Sequence, residues 1–505
     1  MLTVEPQPLT LTQIFDVAHC LSKVELSAQT RALVQKSRAV VDEIVAKKQV
    51  VYGINTGFGR LADFHIPNNE LKQLQLNLVR SHAVGVGDPL SISETRAMML
   101  LRLNVLAQGY SGARVEVLEM LVEMLNQGIT PVIPSQGSVG ASGDLAPLAH
   151  LALAMIGEGE SWDGNDRKPS AGVLKKNGIQ PLTLESKEGL ALLNGTQAIG
   201  AVGCLALARA LRCVHVADVI GAMTLEALTG TPSAFDPRIH EARRHLGQIA
   251  SATHLRNLLV DSEIRESHRE NDSRVQDAYC LRCMPQVHGA ARSALKHAQE
   301  ILENETGAAT DNPLVFSDTG DVISGGNFHG APLAYALDYA AIVTTDLLSI
   351  SERRMDRLVN PDSNEGLPPF LSSHAGTSSG FMMPHVTVAA LLNDCKVLSH
   401  PASIDSVPTS GGKEDHVSMG MTSALKFRKI VENVERGLAI ELLAAAEGLE
   451  YRKPLKPGKG ALMAFEKLRE ISPPVVHDRS LSHDIENVAT AIRQGVFDSG
   501  LEPTW

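Results

Sequence analysis

Apolar positions recur along this chain at the 3.6-residue period of helices over long stretches, so the elements it predicts are almost all helical. Met98-Met99-Leu100-Leu101 follows Ser91-Ile92-Ser93-Glu94, in which Ser and Glu three residues apart have the spacing of a capping box. From Gln197 to Leu228 the chain is nearly all Ala, Val, Leu and Ile, and a helix that apolar needs cover on several sides. Pro332 to Val359 opens with Pro in a first helical turn and stops before Asn360-Pro361, with Leu333, Leu337, Ala341, Leu348 and Met355 along one stripe. Ser423 to about Glu447 sets Phe427, Val431, Val434, Leu438 and Leu442 on one face. These helices predict a mainly all-α protein built on a long central bundle. Strands are few, and Val322-Ile323-Ser324 and Gln49-Val50-Val51-Tyr52 are the best candidates. Two domains are expected: a loop-and-helix domain over 1–111 that carries Tyr52 and His82, and a helical bundle over 112–505 that carries Ala141-Ser142-Gly143.

The loops between these helices are rich in Gly, Ser and Asn: Tyr52 to Gly59, Gly137 to Asp144, Gly325 to His329 and Thr409 to His416. In a helical bundle such loops are where a site is built. Composition narrows the classes. Aromatics make up only 4% of 505 residues, which suits Ala- and Leu-rich helices better than sandwiches or barrels. A formal charge of −11 argues against nucleic acid or an anionic membrane as partner. The six cysteines are too few to staple a chain this long, and Met1 to Pro6 lacks the basic and apolar regions of a leader, so a reducing cytoplasm is expected. Gly189 to Ala208 is free of charge, but Asn194-Gly195-Thr196-Gln197 inside it suits a buried core helix better than a membrane span.

The segment Gly137-Ser138-Val139-Gly140-Ala141-Ser142-Gly143-Asp144-Leu145-Ala146-Pro147 supports several readings. It can be a glycine-rich entry to a helix, with Asp144 as cap and Pro147 in the first turn. It lacks the patterns of a dinucleotide or P-loop phosphate cradle, and Asp144 stands where a nucleophile elbow needs its second glycine. It can also cyclise. Gly143 has no Cβ to hinder its nitrogen from attacking the Ala141 carbonyl, and loss of the Ser142 hydroxyl would leave an electrophilic methylene. These residues alone do not choose between a capped helix and a ring.

Ala-Ser-Gly-Asp in this setting resembles the signature of the histidine and phenylalanine ammonia-lyase family. The resemblance spans nearly the whole chain, through Tyr52 to Gly59, Ser81 to Gly87, Leu193 to Gln197, Val275-Gln276-Asp277 with Tyr279 and Leu281-Arg282-Cys283, Asp311 to Phe316, Ile323 to His329 and Glu414 to Met419. It implies a 4-methylidene-imidazol-5-one made from Ala141, Ser142 and Gly143, with no external cofactor and no metal. It also implies a homotetramer whose sites combine loops of different subunits.

By that resemblance Tyr52 removes the β-proton, with Glu414 the alternative base, and Tyr279 lies by the prosthetic group. Asn194 assists that group, Arg282 binds the substrate carboxylate with Gln276 lining the same side, and Phe328 packs beside the reacting ring. Ser81-His82 and Glu414 match the histidine-specific pattern. The implied reaction is loss of ammonia from L-histidine to give trans-urocanate, the opening step of histidine degradation; tyrosine or phenylalanine is the alternative substrate. Ala278, where Pro is common, and Lys413 and His385, where Gln is common, depart from the family pattern. Cys280-Leu281-Arg282-Cys283 has the spacing of half a zinc site but no second pair, and His240 and His245 are five apart where zincins need four. A fumarase-type lyase is the runner-up, and Ser378 to Pro384 only faintly echoes its loop.

Overall fold

The computed structural model describes residues 1–57, 63–270, 272, 274–501 and 503. Among them are nineteen α-helices and nine short strands, a mainly helical bundle. The long helices Gln197–Ala227, Ala331–Val359 and Gly420–Glu450 stand where periodicity placed them, and Met284–Thr306 is a further long helix. Leu333, Leu337, Ala341, Leu348 and Met355 are fully buried, as are Phe427, Val431, Val434, Leu438 and Leu442. Gln197–Ala227 and Ala331–Val359 are long and apolar enough to cross a membrane, yet 72% and 67% of their most apolar windows are buried in the protein. They are core helices. The charge-free stretch from Gly189 is two helices, Glu188–Leu193 and Gln197–Ala227, broken at Asn194-Gly195-Thr196.

Chain contacts separate two compact units: Met1–Ala206 with Ala298–Asp338 and Pro401–Leu425, and Leu207–His297 with Tyr339–His400 and Lys426–Trp505. All the strands lie in the first unit. Leu2–Val4 pairs in parallel with Val24–Leu26, and Leu314–Phe316 forms a hairpin with Asp321–Ile323. Val86–Pro89 runs antiparallel to Pro134–Gln136, which brings the chain after His82 beside the loop that starts at Gly137. Gln49–Tyr52 is not a strand. Gln49–Val51 is irregular and Tyr52 opens a turn; the Asn55 side chain accepts from Val51 N (2.9 Å) and donates to Gln49 O (2.7 Å), taking backbone groups that a strand partner would need.

In the second unit the interior is not purely apolar. Arg354 and Glu441 are both fully buried and paired at 2.6 Å, and Ser351 donates to the same carboxylate. Beside His288, Asp218 receives His254, His288 and Arg292. Burial opposes its ionisation, but the charge of Arg292 and the two histidine hydrogen bonds hold its pKa well below the ordinary range. Charges so placed are tolerable only because each is paired.

Candidate active site

The helix Leu145–Met155 begins directly after Asp144, and three other helices start against the same loop. Ile199 N, in the first turn of Gln197–Ala227, donates to Asp144 Oδ2 at 2.8 Å. Gly330 N, ahead of Ala331–Val359, donates to Gly140 O at 3.2 Å, and Met419 N, ahead of Gly420–Glu450, donates to Val139 O at 2.9 Å. Asp144 was expected to cap its own helix, and it does not. Its backbone (φ −93°, ψ 55°) lacks the extended geometry of a cap, so the carboxyl turns across to Ile199 and accepts Ser138 Oγ–H at 2.7 Å. Complete burial raises the Asp144 pKa to about 6.

This arrangement depends on glycine at two points. Gly143 has φ +78°, and a Cβ there would lie 2.3 Å from Gly195 O, the acceptor of Asp144 N–H. Gly140 has φ +66°, and a Cβ would strike Ser418 Oγ, which donates to Gly140 O at 2.9 Å. The Ala141-Ser142-Gly143 backbone is thus pressed against Gly195 with no room for a side chain at Gly143, and Asn194 Nδ2 donates to the Ser142 carbonyl at 2.8 Å. These residues fit an imidazolone. Gly143 carries no Cβ beside its nitrogen, the oxygen that would become the ring carbonyl already holds a donor, and among the described residues buried Asn194 Oδ1 has no hydrogen-bond partner.

Ser142 faces a cavity of about 500 Å³ lined by Tyr52, His82, Asn194 and Glu414, with Leu74, Leu78, Leu190 and Leu193 as its apolar walls. Glu414 Oε1 accepts the Ser142 hydroxyl at 2.5 Å, and its Oε2 accepts Thr409 Oγ–H at 2.6 Å. His82 ends the helix Leu71–His82, with Nδ1 at 2.9 Å from Leu78 O. Nδ1 also lies 3.0 Å from Ser81 Oγ, so Leu78 O and Ser81 together fix the orientation of the ring. Tyr52 sits on the Asn55-held turn beside Gly53, whose φ of +77° and absent Cβ let Pro313 pack closely; Phe58 and Gly59 lie outside the described residues.

Four expected site residues lie elsewhere. Half-buried Phe328 is in the first unit but off the cavity wall. Exposed Gln276, Tyr279 (70% exposed) and half-buried Arg282 belong to the second unit, where the Arg282 guanidinium stacks 4.6 Å from the Tyr279 ring.

Sequence reasoning missed the supports. Arg102, fully buried, donates to Ala191 O and Asn194 O (3.0 Å each) and to Gln197 Oε1, bracing the break that carries Asn194. Burial pulls its pKa down to about 10. Lys187 and Asp311, both buried, pair at 2.8 Å. Arg102 is a lone charge in an apolar run, which was the available signal; Lys187, between Glu185 and Glu188, and Thr409 had none.

A model of aromatic amino acid lyases matches residues 9–470. The chain belongs to the aromatic amino acid lyase family. Among curated members it is 54% identical over 492 residues to the histidine ammonia-lyase of Myxococcus xanthus, covering 97% of this chain and 96% of that one. Among solved aromatic amino acid lyase folds, the histidine ammonia-lyase of Trypanosoma cruzi superimposes with a TM-score of 0.92 at 44% identity, over 99% of this chain and 96% of that one. The tyrosine aminomutase of Streptomyces globisporus gives 0.94 at 38% identity, over 98% and 97%. The fold is therefore shared by enzymes of different named activities, and the fumarase-type alternative falls away.

Proposed function

We propose that this aromatic amino acid lyase is a histidine ammonia-lyase, which eliminates ammonia from L-histidine without oxidation to give trans-urocanate. One observation carries the reading: a single cavity holds Ser142 together with His82 and Glu414. The Glu414 carboxylate can accept an imidazole N–H, and the His82 ring can hydrogen-bond in the same cavity; a phenyl ring offers neither a donor nor an acceptor. The full-length identity to relatives named histidine ammonia-lyase supports the same substrate.

A 4-methylidene-imidazol-5-one made from Ala141-Ser142-Gly143 would supply an electrophilic methylene as the electron sink for the substrate. Asn194 would hold its carbonyl side, and Tyr52 takes the β-proton, with Glu414 the other candidate base. The four helix starts around the loop favour negative charge, each by about 0.3–1 kcal/mol and up to ~2 when partly buried, so they stabilise a carbanion-like transition state. Gln276, Tyr279, Arg282 and Phe328 are contributed within a homotetramer, with Arg282 on the substrate carboxylate and Tyr279 near the leaving amine. The six free thiols agree with work in the cytoplasm.

The test is twofold. The purified protein should release urocanate from L-histidine much faster than it deaminates tyrosine or phenylalanine, and its Gly137–His150 peptide should be lighter than the encoded mass by two waters. Preference for tyrosine or phenylalanine overturns the substrate, and an unmodified peptide in active enzyme overturns the prosthetic group. Ser142→Ala should fold, keep the encoded mass and be inactive.

A further inference from the structure

The first half of the segment carrying Gln276, Tyr279 and Arg282 has little apolar burial to hold its shape: Val275 is 97% exposed and Tyr279 70%, and buried apolar side chains begin at Cys280 and Leu281. Charge holds it instead. The helix Gln197–Ala227 ends in carbonyls that need donors. Arg452 Nε donates to Ala227 O at 2.8 Å, Arg274 Nη1 to Leu228 O at 3.1 Å, and Arg274 Nη2 to Thr229 O. The chain then reverses, and Thr231 N donates to Asp277 Oδ2 at 2.7 Å. Arg274 Nη1 lies 3.3 Å from both Asp277 Oδ1 and Glu365 Oε1.

The result is a two-way clamp between 228–231 and 274–277. A cation on one strand of chain binds carbonyls of the other, an anion beside it binds an N–H, and cation and anion pair with each other. Asp277 is only 6% exposed, although Val275 and Gln276 before it are exposed. Immediately after it, Ala278 adopts φ −63°, the value proline would lock, and opens the single turn Tyr279–Arg282. Alanine leaves that φ free where a proline would lock it, so the backbone itself contributes less rigidity and the clamp carries more.

We propose that Arg274 and Asp277 are positioning residues for the deamination, locking the Gln276–Arg282 segment in the conformation in which Tyr279 and Arg282 meet the substrate. This rests on the role given to that segment under the proposed function.

The experiment pairs steady-state kinetics with amide hydrogen exchange on the full-length enzyme. Asp277→Ala and Arg274→Ala should lower kcat/KM by about tenfold or more, with KM rising as Arg282 loses its placement. Asp277→Asn keeps an acceptor for Thr231 N and should fall between. A fold defect alone would reduce the active fraction at unchanged KM. Exchange over 275–283 should quicken in Asp277→Ala, Ala278→Pro should restore part of the loss, and the effect of Asp277→Ala should shrink to less than about twofold once Tyr279→Phe and Arg282→Ala are present. Unchanged exchange, or effects that simply multiply, would overturn the clamp. Impaired Tyr279→Phe and Arg282→Ala beside a normal Asp277→Ala would overturn the clamp alone. If those two variants are themselves normal, the catalytic role of the segment is lost and the positioning role with it.

Discussion

Tyr52 lines the cavity that Ser142 faces and is the proposed base for the β-proton. Tyr52→Phe should therefore lower kcat by about 100-fold or more while KM changes little, because the lost interaction belongs to the transition state. Exchange of the substrate β-deuterium reports the base directly: if Tyr52→Phe exchanges at the wild-type rate, Glu414 is the base. Asp144 makes a second prediction at this scale. Its folded pKa is raised to about 6 against ~3.9 unfolded, so its contribution to stability is fully present below pH ~4 and is lost as pH rises through 6. The loss is on the order of 3 kcal/mol. In a Ser142→Ala background, which removes ring formation, Asp144→Asn should gain thermal stability relative to its parent between pH 4 and 7. A constant difference across that range would contradict the shift.

Among the elements, the helix Ile92–Ala107 offers a contrast between an exposed cap and a buried brace. Its capping box forms as the sequence predicted, with Ser91 Oγ accepting from Glu94 N and the Glu94 side chain from Ser91 N. Ser91→Ala should cost about 1 kcal/mol. Arg102, further along, satisfies Ala191 O, Asn194 O and Gln197 Oε1. Arg102→Met leaves three buried acceptors unpaired at about 1–3 kcal/mol each, offset in part because the guanidinium is no longer held out of water. The net loss of thermal stability should exceed that of Ser91→Ala, and loss of the two-water mass change should accompany it as Asn194 shifts. Long helices were legible because many periodic positions agree; the irregular course of Gln49–Val51 was not, because the Asn55 side chain takes backbone groups that the β-branched pattern would have paired.

For the whole molecule, the proposed tetramer needs apolar surface to bury. Tyr335, Tyr339 and Ile342 are exposed at helical spacing on Ala331–Val359, and Met383 and Val386 on Met382–Leu398. Tyr339→Glu with Ile342→Glu should yield smaller species in sedimentation and lose urocanate formation with them; a full-sized, active variant would rule this surface out of the assembly. Cys280→Ser with Cys283→Ser should stay folded and largely active without bound zinc, since burial raises the Cys280 thiol pKa and disfavours the thiolate a metal needs. Stoichiometric metal in the purified protein would reverse that.

By itself the sequence determined what is local: which stretches are helical, which faces are apolar, and that Ala141-Ser142-Gly143 sits in a loop able to cyclise. Side-chain period and residue type act over a few positions, so they can be read without a fold. Only the tertiary structure decided which distant residues meet. It turned Asp144 away from its own helix to Ile199, set Gly195 against Gly143, brought Arg102 under Asn194 and put Thr409 behind Glu414. Those contacts join segments far apart in the chain, where packing of the whole core, not local preference, sets the partner.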